Sequence, residues 1–144
     1  MSTPEALFTT ERPPPWPRLC ARVAVVAALA LAKLPPRRIR RTLSFLRRGA
    51  PPATHQQARA ARDAVVAVSV TCAGKGCLPR AIATALLCRM RGCWPTVRIG
   101  ARTAPFGAHA WVEAEGRPVG ESEQVGTFHP LLTVPPHTLD GTPC

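Results

Sequence analysis

An α+β fold, with helices in the first two thirds of the chain and a small antiparallel sheet in the last third, is what this sequence predicts. Three observations predict it. Apolar residues recur at helical spacing between Pro and Gly stops from about residue 18 to Met90. Past Gly92 the pattern changes to short runs that alternate apolar and polar. Helices grouped ahead of strands, rather than interleaved with them, point away from a parallel sheet.

Residues 1–17 end in Pro13-Pro-Pro-Trp-Pro17 and read as an extended, flexible start. Residues 18–33 read as an Ala-rich helix that Pro35-Pro36 stops. A second helix runs from about Pro36 to Arg48, with Ile39, Leu43 and Leu46 on one side and arginines elsewhere; Gly49 and Pro51-Pro52 end it. Thr54-His-Gln-Gln57 fits a capping box, in which each end residue's side chain takes the other's backbone N–H. The third helix then runs to about Val70. A glycine-rich turn, Cys72-Ala-Gly-Lys-Gly-Cys77, leads into a fourth helix. Pro79 is tolerated in its first turn because the missing N–H has no partner there anyway. Strands are expected at Pro95–Gly100, Ala108–Glu113 and Arg117–Glu121. The organisation expected is a helical part over residues 18–71, a core over 72–135 and a tail over 136–144, all in one compact domain.

The formal charge is +11 and uneven. Residues 1–50 hold ten Lys and Arg against two acids, and residues 51–100 seven against one. Residues 101–144 hold two against five. Such a field favours acidic partners. Nucleic acid is not expected, because no helix-turn-helix, aromatic platform or zinc finger accompanies the charge. Arg22 to Lys33 has basic flanks and an apolar centre like a signal peptide. Its ten uncharged residues are too few to span a membrane, and a buried helix explains them as well. A cytoplasmic protein is the expectation.

One ordered set carries chemistry: Cys77 at the start of a buried helix, His109 on a strand, Glu121 on the next. A helix N-terminus and a nearby imidazolium both favour thiolate, the nucleophilic form of cysteine. His109 can take the thiol proton and later protonate a leaving amine. A carboxylate behind the ring fixes its tautomer. Each residue alone has a plainer reading: a core cysteine, a hydrogen-bonded histidine, a solvated charge. Glu123 competes with Glu121 for the third place. A three-residue loop, Ala114-Glu115-Gly116, would face Glu113 with Arg117, Trp111 with Val119 and His109 with Glu121. A two-residue loop would put Ser122 opposite His109 instead.

Cys72-x4-Cys77 and Cys88-x4-Cys93 raise the question of zinc. Cys88, however, falls within the apolar run of the fourth helix and is expected in the core, so neither a metal nor a cofactor is expected. Cys20, Cys88, Cys93 and Cys144 read as structural or incidental.

Cys72-Ala-Gly-Lys-Gly-Cys77-Leu-Pro-Arg80, Leu86-Leu87, Arg91-Gly92, Arg98-Ile-Gly100, Pro105-Phe106 and Ala108-His-Ala-Trp-Val-Glu113 stand in an order and spacing that resembles a known family. It is the transglutaminase-like leader peptidase of lasso-peptide biosynthesis, and Pro35-Pro36-x-x-Ile39-Arg40 and Arg47-Arg48-Gly49-Ala50 fit its upstream helical part. The resemblance spans about residues 20–135. It implies a papain/transglutaminase-like core and a cysteine peptidase that cuts a ribosomal precursor peptide between leader and core. It also implies two partners, a separate leader-recognition protein and an ATP-dependent cyclase, with this chain looking like the split form. Cys77 takes the nucleophile's place and His109 the base's. The third place, usually Asp in the family, is held by Glu121. The backbone N–H of Cys77 is the natural oxyanion donor.

Overall fold

The computed structural model describes residues 15–136. The expected flexible start, apart from Pro15-Trp-Pro17, and most of the tail, with Cys144, lie outside them. Among the described residues the order is α1 (Pro15–Leu31), α2 (Pro36–Leu46), α3 (His55–Val68), α4 (Val70–Ala73), α5 (Cys77–Met90), then β1 (Thr96–Thr103), β2 (Phe106–Ala114), β3 (Arg117–Pro118), a 3₁₀ turn (Glu123–Thr127) and β4 (His129–Val134). The fold is α+β, as the pattern predicts.

α5 is the centre. Ala81, Ile82, Ala83, Thr84, Ala85, Leu87 and Cys88 are all buried, because α1, α3, β1 and β2 all pack on it. Its one buried hydroxyl is satisfied: Thr84 Oγ1 donates to the Arg80 carbonyl at 2.7 Å. α1 turns Ala21, Ala24, Val25 and Ala28 inward and leaves Leu19, Val23 and Val26 exposed. Alanines on the packed face let the helix axes approach closely. No helix among the described residues is long and apolar enough to cross a membrane.

α2 buries Ile39 and Leu43 and exposes Arg37, Arg38, Arg40 and Arg41. Arg47, just past its end, donates to the Pro135 carbonyl at 2.8 Å and so ties the helix to the end of β4. The capping box ahead of α3 forms as read: the Gln57 N–H donates to Thr54 Oγ1 (3.1 Å) and the Thr54 N–H to Gln57 Oε1 (2.9 Å). α3 stops two residues earlier than expected. Ser69 is extended and caps α4, accepting from the Cys72 N–H at 3.2 Å.

The sheet order is β3-β2-β1-β4, antiparallel throughout. β4 was not expected as a strand. It pairs with β1 despite Pro130, because the register shifts between Ile99 and Gly100 and absorbs the missing donor. The hairpin from β2 to β3 also differs from expectation. Glu115 and Gly116 both have positive φ, 55° and 75°, the pattern of a two-residue type I′ turn. Glu113 lies opposite Pro118, and Ala114 opposite Arg117. The three-residue loop with Glu113 facing Arg117 does not form. The shorter turn keeps Ala114 in the strand, where it is buried in line with Ala110 and Val112. Glu113 finds its cation on the other side, on Arg98 of β1 at 2.9 Å.

Candidate active site

Cys77 is the first residue of α5. The turn before it is tight. A Cβ on Gly76 would lie 2.6 Å from the Thr71 carbonyl oxygen and 2.9 Å from its methyl group, so only glycine lets the chain pass so close. Gly76 offers no side chain to cap the helix, and the first turn holds no acid. The partial positive charge of the helix end is therefore left for the thiol. The side chain of Cys77 is half-buried against the core. Its backbone N–H does not stand free as the expected oxyanion donor. It donates to the Lys75 carbonyl at 2.9 Å, because Gly76 adopts the φ −78°, ψ 62° of an inverse γ-turn.

His109 lies on β2 opposite Gly100 of β1. Its Nε2 is 2.8 Å from Glu121 Oε2, with side chains 20% and 11% exposed. The contact exists despite the two-residue turn, for a definite reason. The ladder ends at Pro118, and Val119 adds one last bond, donating to the Val112 carbonyl at 2.9 Å. Gly120 then takes φ +65° and turns the chain out of strand geometry. Glu121 thus leaves the alternation that would have carried it to the opposite face. Glycine suits the position, since φ +65° strains any other residue, and the Arg62 guanidinium, 2.7–2.8 Å from where a Cβ would be, would have to move aside.

Nε2–H donating to the carboxylate leaves Nδ1 with the lone pair, so Nδ1 is the nitrogen able to act as base. The ring is also held sideways. Trp111 stacks on it at 5.8 Å and 16°, and Phe128 tilts against it at 5.4 Å. Phe128 in turn carries the Arg102 guanidinium over its face at 4.7 Å.

The structure therefore brings His109 and Glu121 together. It gives the Cys77 sulfur no hydrogen bond to His109 or to any other described residue. What joins the turn before Cys77 to the His–Glu pair is Arg80, one turn along α5. Its Nη1 donates to the carbonyls of Cys72 (3.0 Å) and Gly74 (3.3 Å). Its Nη2 lies 4.0 Å from Glu121 Oε1. Behind Glu121 a cavity of about 10 Å³, bordered by Arg62, Arg80 and Thr84, has room for one water at most. Burial and then Arg80 press the Arg62 guanidinium pKa down, while Glu121 pulls it up. Larger surface grooves lie along α2 and beside α3, and neither is lined by Cys77, His109 or Glu121.

Sequence reasoning named Cys77, His109 and Glu121 but gave no role to Arg80, Arg102 or Phe128. Arg80 had a signal, its place in the Cys-Leu-x-Arg run; Phe128 had none. Among the described residues no three His, Cys, Asp or Glu side chains gather as metal ligands would. Cys88 and Cys93 are buried, and burial pushes both thiol pKa values up.

A family model, the transglutaminase-like superfamily, matches residues 21–133. Searches of curated proteins and of solved structures return no significant match.

Proposed function

Because the chain belongs to the transglutaminase-like superfamily, whose members are typically cysteine peptidases or acyltransferases, we propose that it is a cysteine peptidase that removes the leader from a ribosomally made lasso-peptide precursor. It acts beside a separate leader-recognition protein and an ATP-dependent cyclase. The observation that carries the reading is the 2.8 Å contact of His109 Nε2 with Glu121, set one arginine away from the uncapped helix end that holds Cys77.

In this reading His109 Nδ1 takes the Cys77 proton, and the thiolate attacks the carbonyl at the leader–core junction. The imidazolium, its charge balanced by Glu121, returns the proton to the amine that leaves with the core. A water, deprotonated by the same nitrogen, then attacks the thioester and frees the leader's carboxylate. The thiol and imidazole come within hydrogen-bonding reach as the turn before Cys77 fluctuates, and substrate tightens a contact that is often loose without it. The freed α-amine is what the cyclase joins to an acidic side chain.

The test is cleavage of the precursor by the purified protein with its recognition protein, read by mass spectrometry. Cys77→Ala and His109→Ala are expected to lose activity by about 10³-fold or more while staying folded. Cleavage undiminished in a folded Cys77→Ala variant would sink the proposal. A product carrying a new amine at the cut carbonyl would redirect it to acyl transfer.

A further inference from the structure

We propose that Arg80 is a positioning residue that fixes the His109–Glu121 pair against the turn carrying Cys77, an inference that rests on the peptidase reading above. The two halves of the site come from different parts of the chain: the thiol from a turn and helix tip, the pair from a strand and its exit. Something has to set their separation. Hydrophobic packing alone holds a sheet and a helix in register only loosely compared with the fraction of an ångström that proton transfer needs.

Arg80 spans that gap. One nitrogen of its guanidinium donates to the Cys72 and Gly74 carbonyls, fixing the strip of chain that leads to the nucleophile. Its other terminal nitrogen faces Glu121 Oε1, leaving Oε2 for His109. At 4.0 Å the first contact is a charge–charge one, while Oε2 carries the hydrogen bond with His109. The Arg80 side chain is only 13% exposed, and the space that it borders beside Glu121 holds one water at most, so little solvent screens the pair. The base of Arg80 is held as well, by the Thr84 hydroxyl on its carbonyl. A planar fork suits this place, because one nitrogen can hold the carbonyls while the other keeps its charge beside the carboxylate, whereas an ammonium is a single point of charge. Arg62, the other cation near Glu121, packs on Gly120 and offers no such bridge.

The test needs no substrate. Iodoacetamide labelling near neutral pH, followed peptide by peptide, gives the Cys77 rate relative to half-buried Cys20 in the same molecule. It is applied to the wild type, Arg80→Lys, Glu121→Gln and the double variant. Arg80→Lys is expected to slow Cys77 by about 10-fold, with the Cys20 rate and melting temperature held. In the Glu121→Gln background the same change is expected to matter less than about 2-fold, because Arg80 works through that carboxylate. A merely structural arginine gives the same loss in both backgrounds, and that result, or no loss in either, overturns the inference while the peptidase reading stands. Wild-type Cys77 labelling no faster than Cys20 overturns both. Should Arg80→Lys melt early, Arg80→Ala with and without added guanidinium serves instead. Recovery of the Cys77 rate supports the inference, and absence of recovery in folded protein overturns it.

Discussion

α3 and α5 have the same length, 14 residues each, and opposite N-termini. α3 begins with a reciprocal cap, in which Thr54 and Gln57 satisfy each other's backbone N–H groups. α5 begins with Gly76, no side-chain cap and no acid in its first turn. The capped end has its donors and its dipole answered by the helix itself. At the open end the same partial charge faces a thiol. A cap contributes to stability and closes the end to chemistry. An open end gives up about 1 kcal/mol of capping and keeps its field for another group. The fold recovers that loss by burying α5 nearly all round.

The largest effect that breaks this contrast comes from Gly76. Any Cβ there meets the Thr71 carbonyl oxygen at 2.6 Å, and backbone cannot swing aside as a side-chain tip can. Gly76→Ala is therefore expected to shift the turn before Cys77. The expected cost is about 1–3 kcal/mol of stability from overpacking. The thiol's alkylation rate is expected to fall about 10-fold or more as Cys77 moves off its position. Denaturant melts and peptide-resolved labelling read the two effects separately. An Ala variant with normal labelling would show that the turn's position does not govern the thiol.

Helix ends were the most legible part of this sequence. Thr54 with Gln57, the Pro35-Pro36 stop and the glycine-rich turn each act through neighbours in the chain. The sheet was less so. His129-Pro-Leu-Leu-Thr-Val134 carries a proline and no alternation, and it becomes a strand only because the shift at Ile99 and Gly100 accepts it. The hairpin register was misjudged because a glutamate at φ 55° is unusual. The apparent Glu113–Arg117 match favoured the longer loop. His109 and Glu121 meet without the register that the longer loop predicts, since what brings them together is the positive φ of Gly120 rather than the ladder. Phe128 and Arg102 reach the histidine through tertiary packing that no local pattern announces.

The contrast sharpens within α5, which has Cys77 at its tip and Cys88 buried in its last turn. Burial first, and neighbouring Cys93 next, push the Cys88 thiol pKa far above its ordinary value. Its folded form therefore keeps the proton where the unfolded chain releases it. Above about pH 8.5 the folded state binds more protons than the unfolded one. Stability is then expected to fall by about 1.4 kcal/mol per pH unit from this thiol alone, and to be unaffected by it at lower pH. Urea melts at pH 8, 9 and 10 on the wild type and Cys88→Ala would read the slope as a difference. Equal slopes in the two proteins would contradict a protonated Cys88.

The smallest effect lies at the other helix. Thr54→Ala removes the oxygen that accepts from the Gln57 N–H. Both residues are exposed, so water takes the oxygen's place and no buried donor is stranded. The expected loss is about 1 kcal/mol, or about 3–5 °C in melting temperature for a chain of this size. Thr54→Ser keeps the acceptor and is expected to restore most of it. Cys77 should label at the wild-type rate in both variants, because the cap answers only to its own helix. If removing the cap of α3 slowed the thiol on α5, the two ends would be coupled through the packing of one helix on the other, and an open end could not be read as local provision for chemistry.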